Sequence, residues 1–307
     1  MTRWAAFAGI VALVLGTLLA LARASQPTAS DAAAAPPEAP VRPNAPDDTD
    51  GAGALGSDGA APNGDSTGGE NDSVGAGADN CGATDADGGP RTDDAASARP
   101  PWAADGRESL PAGALLANVA LSQGFFLVLL LLGAWYARVP PAALGVHGTS
   151  SSTGLPALAA GVGLGLALAF VNELGAIGAD ALGVEHAEAL RGALAPESRR
   201  GWLVLLVGVL PTVAVFEELL FRAALVGALS AGFGLSPWLL ALGSSVAFAL
   251  GHGAQGALGM GVTGVLGLVL AAAFVLTGSL LAVVVAHYLV NAAEFVVHER
   301  LDVGPSR

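Results

Sequence analysis

Between Trp202 and about residue 231 the chain is a largely apolar run whose only charges are Glu217, Glu218 and Arg222. Few structures can accommodate such a stretch. In hydrocarbon every backbone N–H and C=O must be paired within the segment, so a membrane-spanning helix is the available form. A charge at membrane depth costs roughly 3 kcal/mol or more unless it is paired or hydrated, so three of them together call for a functional or structural reason.

Other apolar runs repeat this constraint. Residues 4–22 form one behind Arg3, long enough to cross a bilayer core of about 30 Å. Ala22-Arg23-Ala24 also fits an A-x-A cleavage pattern, so the run reads as either a retained anchor or a signal peptide, with its length favouring the anchor. Further helices are expected over 115–136, 155–179, 202–231, 237–251, 256–276 and from the Thr277-Gly278-Ser279 turn to about 297. Trp135 and Tyr136 end the first of these at the headgroup level. Gly161, Gly163 and Gly165, and later Gly256, Gly259, Gly261, Gly264 and Gly267, are expected to let helices approach closely. Pro211 removes a backbone donor inside the central helix and is expected to kink it near the charges. Residues 180–200 mix Asp180, Glu185, His186, Glu188, Arg191, Glu197, Arg199 and Arg200 with Ala and Leu, as an interfacial amphipathic helix does.

Residues 25–111 differ in kind. Rich in Ala, Gly, Asp and Pro, they lack the large apolar side chains that would offset the entropy of ordering, and read as a disordered acidic linker. The formal charge of −13 is almost wholly theirs, since residues 25–110 contain 16 Asp/Glu and 4 Arg. The remainder is nearly neutral and gives no basis for nucleic-acid binding. Cys81 is the single cysteine, so no internal disulfide or cysteine-based metal site can form. With mean hydropathy +0.59 and 13% charged residues, the chain belongs with integral membrane proteins. The expected fold is all-α: a polytopic transmembrane bundle of six body helices plus an N-terminal hydrophobic segment. The divisions are 1–24 anchor or signal, 25–111 linker and 112–307 membrane domain.

With alternating spans, Arg191, Arg199, Arg200, Arg300 and Arg307 fall on one side and Arg138 on the other, which makes the first side cytoplasmic. The linker would then be cytoplasmic too. That conflicts with an exported, cleaved signal and requires residues 4–22 to insert with the N-terminus outward.

On a helix Glu218 and Arg222 share a face, acid before base, the better orientation for an ion pair. Glu217, about 100° around, has no such local partner and is the candidate general base. Downstream, Phe248-x-x-x-His252 and His287-x-x-x-Asn291 place polar groups in apolar helices, the latter pair on one face. If the bundle brings them together, Glu217 and His252 can deprotonate a water that attacks a peptide carbonyl. His287 and Asn291 can then donate to the developing oxyanion, while Glu218 and Arg222 support the helix. Asn172 and Glu173 are candidates for an added carboxylate beside this cluster; His147, His186 and His298 are expected outside it.

These three motifs, Glu217-Glu218-x-x-x-Arg222, Phe248-x-x-x-His252 and His287-x-x-x-Asn291, resemble in order those of the CPBP family. That family includes CAAX prenyl proteases and bacteriocin-processing or self-immunity (Abi) proteins. The similarity extends to Phe221 and to Thr277-Gly278-Ser279-Leu280, covering about 200–298. It implies an intramembrane endopeptidase with the same four reacting residues, acting on a membrane-embedded peptide or protein in a bacterial cell membrane. The acidic linker is not part of the family pattern. A non-catalytic immunity or scaffold protein of the same family is the alternative. A cofactor is not required on this reading; if a divalent metal such as zinc takes part, Glu217, His252 and His287 are its expected ligands.

Overall fold

The structure is a computed structural model, and it describes residues 1–24, 111–181 and 188–301. The expected linker over 25–111, except for Pro111, lies outside the described residues together with Glu185 and His186, as do the side chains of Asp180 and Glu188. The described residues are helical, without strands. We label the helices α1 (Trp4–Ala24), α2 (Ala112–Ala137), α3 (Leu155–Ala181), α4 (Glu188–Leu194), α5 (Arg199–Phe233), α6 (Pro237–Gly251), α7 (Gly256–Thr277) and α8 (Leu280–Arg300). A single helical turn, Ser150–Thr153, leads into α3. Six of these segments are long and apolar enough to cross a membrane, and α6 is a shorter apolar helix. The chain is therefore a multi-pass integral membrane protein, with the expected six body helices besides α1.

Its exterior carries Leu121, Phe125, Leu166, Phe170 and Val207, all exposed, as a lipid-facing surface requires. α5 is the hub. Half of its most apolar stretch is buried, against 11–33% for the other five spans.

Two local devices shape α5. Proline at 211 cannot donate and crowds the preceding turn. Instead of a broken helix, the chain widens into a π-helical stretch over Val204–Val209, returns to α-helix over Leu210–Glu218, and widens again over Leu219–Ala228. Such stretches occur disproportionately at functional sites. Ser244 of α6 donates to the carbonyl of Phe221 at 2.6 Å inside the second one, tying the altered backbone to its neighbour.

Glycine sets the approach of α3 to α8. A Cβ on Gly161 would come within 2.6 Å of the Ala282 carbonyl oxygen, and one on Gly165 within 2.9 Å of that of Ala286. Gly163, between them, faces open space. The α7 glycines divide in the same way. Gly264 and Gly267 meet α6 at Ala249 and Phe248, whereas Gly261 has nothing near it, and Gly256 serves a turn with φ +75°. Close packing is thus the role of two in each set.

α1 packs within the bundle. Phe7, Val11 and Val14 are buried in one cluster with Leu130, Phe216 and Leu220. The Arg3 N–H donates to the Ala137 carbonyl at 2.8 Å, so α1 runs antiparallel to α2, and Ala24 and Ala112 lie at the same end of the bundle. α8 continues through a π-helical turn to Arg300, past the expected end near 297, and includes His298. At that end Arg191 of α4 donates to Glu299 at 2.9 Å and to Glu294 at 3.2 Å.

Candidate active site

α5 delivers Glu217 and Glu218 as its last α-helical residues before the second π stretch, with Arg222 one turn further on. α8 delivers His287 opposite them. Glu218 is fully buried, and Arg222 and His287 are 1% and 3% exposed. The expected pair forms, with Arg222 Nη1 donating to Glu218 Oε1 at 2.8 Å. Arg222 Nη2 also donates to the carbonyl of Gly267 on α7 at 3.2 Å, so one guanidinium ties α5 to α7.

The imidazole of His287 bridges both carboxylates. Its Nδ1 is 2.7 Å from Glu218 Oε1, and its Nε2 is 3.5 Å from Glu217 Oε2. Because Glu218 Oε1 already accepts from Arg222, the Nδ1 contact is a hydrogen bond donated by His287. The Nε2 contact is long for a hydrogen bond and is chiefly electrostatic. Glu218 therefore serves two partners, of which the local spacing showed one.

His252 ends α6 and has its Nδ1 2.8 Å from the Phe248 carbonyl oxygen. A carbonyl only accepts, so Nδ1 carries the proton and Nε2 of the neutral ring is the basic atom. Phe248 stands between the two histidines, its ring centre 4.5 Å from that of His252 and 6.0 Å from that of His287. It also lies under the Arg222 guanidinium at 4.6 Å. Phe248 is thus the spacer of the site, a role that its position four residues before His252 hints at and does not establish.

Asn291 is half-buried one turn beyond His287 and makes no hydrogen bond among the described residues. Glu173, a candidate for the cluster, pairs instead with His298 Nε2 at 3.1 Å, toward the far end of α8. Asn172 has no polar partner among the described residues either. His147 is an exposed loop residue, as expected.

Residues 199–293 match the family model Rce1-like, described as type II CAAX prenyl endopeptidase. This segment is similar to that family. The match spans α5 to α8 up to Ala293 and contains all three motifs that carried the resemblance to the CPBP family. No curated protein and no solved structure matches the chain.

The Rce1-like segment does not present a preformed zinc site. Among the described residues no group of three His, Cys, Asp or Glu is arranged to hold a metal ion. Glu217, His252 and His287 are no exception. Nδ1 of His287 and Nδ1 of His252 are taken up by Glu218 and the Phe248 carbonyl, which leaves each Nε2 to face a ligand, but these two atoms and the Glu217 carboxylate are not gathered about one point. As arranged, the donors do not fit a resident metal.

Proposed function

We propose that the chain is an intramembrane endopeptidase that hydrolyses a peptide bond of a membrane-associated protein or peptide. The observation that carries this reading is the burial of Glu217, Glu218, Arg222 and His287 as one contacting cluster within a segment of the CAAX prenyl endopeptidase type.

On this reading Glu217 and the unprotonated Nε2 of His252 take a proton from water as its oxygen attacks the scissile carbonyl carbon. The carbonyl electron pair moves onto oxygen, which receives hydrogen bonds from His287 and the Asn291 amide. Collapse re-forms the carbonyl and breaks the C–N bond, and the departing amine takes the proton. His287 already donates from Nδ1 to Glu218, so its donation to the oxyanion requires a proton on Nε2 as well. Charge balance supports that state: two carboxylates are matched by one guanidinium and one imidazolium. Glu218 and Arg222 position His287 and do not touch substrate.

On this reading 1–24 is a retained anchor, 25–111 a linker and 112–307 the protease domain, one face of which bears Arg191, Arg199 and Arg200. That face is cytoplasmic, and a bacterial cell membrane is the expected setting.

Comparative membrane peptidomics of wild type against Glu217→Gln tests the activity and finds the substrate. New peptide termini present with wild type and absent with an equally abundant variant are expected. If the variant inserts normally and leaves the peptide profile unchanged, catalysis by Glu217 is wrong, and a non-catalytic membrane role becomes the better account.

A further inference from the structure

The end of the bundle away from Arg191 holds a second polar feature, unconnected with the Glu217 cluster. There the start of α1 meets the finish of α2. Arg3 N–H donates to Ala137 O at 2.8 Å, and Thr2 Oγ1 donates to Arg138 O at 3.3 Å. A cavity of about 620 Å³ opens beside this junction, lined by Arg3, Trp135, Tyr136, Arg138, Pro140 and Pro141 among others. Its charged lining consists of the two guanidiniums. Neither is paired with a carboxylate among the described residues, where the ion pairs are those of Arg191, Arg222, His287 and His298.

Arg138 is held there at a backbone cost. With φ 56° and ψ 42° it is the one non-glycine residue in the left-handed region among the described residues; the others are Gly145, Gly234, Gly256 and Gly278. Glycine is the residue that closes a helix in this conformation without strain. A basic group does interact favourably with a helix C-terminus. Other positions in the last turn of α2 would offer that interaction on unstrained backbone, so it does not account for an arginine here. Nor do the helix ends supply net charge, since the positive end of α1 and the negative end of α2 offset one another. The guanidiniums set the potential of the cavity.

Arg3 is placed against the ring of Tyr136, 4.8 Å from its centre, a contact that holds the cation at the cavity wall. The surroundings match a membrane interface. Trp135 and Tyr136 are 78% and 54% exposed, and one turn deeper on α2 Leu131 and Leu132 are exposed as well.

We propose that this cavity binds the phosphate of an anionic phospholipid headgroup, with Arg3 and Arg138 as donors and the aromatic and leucine surface against the glycerol and acyl chains. A free phosphate could use only the guanidiniums. The apolar surface continuous with them favours the lipid. The lipid would thereby join α1 to α2 and stabilise the N-terminal helix in the bundle.

The test uses the full chain purified in neutral detergent and follows its thermal unfolding midpoint. Phosphatidylglycerol is expected to raise the midpoint by several degrees, with phosphatidylcholine and inorganic phosphate at the same concentration leaving it in place. Arg138→Gly, which relieves the backbone, is expected to unfold at the same or a higher temperature in detergent alone while losing most of the phosphatidylglycerol shift. Arg3→Gln should lose most of it too. An undiminished shift in both variants, or an equal shift with phosphatidylcholine or with inorganic phosphate, overturns the proposal. So does N-terminal sequencing that finds residues 1–24 removed from the membrane-inserted protein, because Arg3 goes with them.

Discussion

Nδ1 of His287 lies 2.7 Å from Oε1 of Glu218, and that same oxygen accepts from Arg222 at 2.8 Å. One carboxylate oxygen thus holds both the Nδ1–H of His287 on α8 and the side chain that ties α5 to α7. The arrangement is not optimised for stability. Glu218 Oε2 and Arg222 Nε are buried without a hydrogen-bond partner among the described residues, at about 1–3 kcal/mol each. Its gain is in placing His287.

Glu218→Gln or Arg222→Met alone leaves the other charge buried without its ion-pair partner, and either is expected to cost about 3–5 kcal/mol. The double variant removes both charges and should recover much of that loss. Cleavage should not return with it, since His287 has lost the anion that fixes its ring. Thermal unfolding and peptide cleavage measured on all three variants separate the two effects; a double variant that recovers both would make Glu218 a stabilising residue only.

Phe248 transmits packing on α7 to both histidines. A Cβ at Gly267 would stand 3.0 Å from Phe248 Cδ1 and 3.5 Å from Arg222 Nη2. Gly267→Ala is therefore expected to push the ring, displace His252, and lower cleavage about tenfold or more, with a stability loss of about 1 kcal/mol. Gly261→Ala, facing open space, is the control and should leave cleavage unchanged. Equal cleavage by the two variants would remove Phe248 from the site's geometry.

The reach of sequence reasoning is visible in these same residues. The spans were legible because bilayer thickness imposes a length and hydropathy on each helix, and α6 has the expected bounds, Pro237–Gly251. The Glu218–Arg222 pair was legible because both residues sit on one helix at a spacing that stacks them. The His287–Glu218 bond was not, because it depends on the depth and rotation of α8 against α5, which no local spacing encodes. Glu173 shows the same gap. Its polarity was evident, whereas its partner His298 follows from the register of α3 on α8. The π-helical widening around Pro211 also escaped, since a proline predicts a disturbed turn without saying how the chain absorbs it.

The second π stretch of α5 suggests a smaller effect for Ser244. Its hydroxyl gives the Phe221 carbonyl a partner at 2.6 Å in a buried setting. Side-chain hydrogen bonds between membrane helices average about 0.6 kcal/mol and reach about 1.7, so Ser244→Ala should destabilise by no more than that. Ser244→Thr retains the hydroxyl and should lose less. Unfolding measurements that rank Thr below Ala would mean that steric fit at this position outweighs the bond.

Chelation addresses the donor set directly. Since Glu217, His252 and His287 do not form a metal-binding group as arranged, treatment with a strong chelator should leave cleavage and thermal stability in place. Metal analysis of the treated protein should find no stoichiometric zinc. Loss of activity that returns on adding zinc back would mean that these three side chains rearrange to bind it.

The α3 glycines provide the sharpest contrast, because adjacent small residues face opposite environments. Gly161→Ala drives a methyl to 2.6 Å from a backbone oxygen of α8 and to 2.9 Å from Val285 Cβ, neither of which can move without the helix. Overpacking of this kind costs about 1–3 kcal/mol. α8 carries His287 and Asn291 on the turns just beyond the clash, so a displacement of about 1 Å there should reduce turnover about a hundredfold. Gly163→Ala meets nothing within 4 Å and, on an exposed helical position, should be neutral or stabilising by up to about 1 kcal/mol. Measured side by side, the two alanines differ only in which helix face they crowd. If Gly161→Ala keeps full turnover at normal abundance, the α3–α8 contact does not set the position of His287.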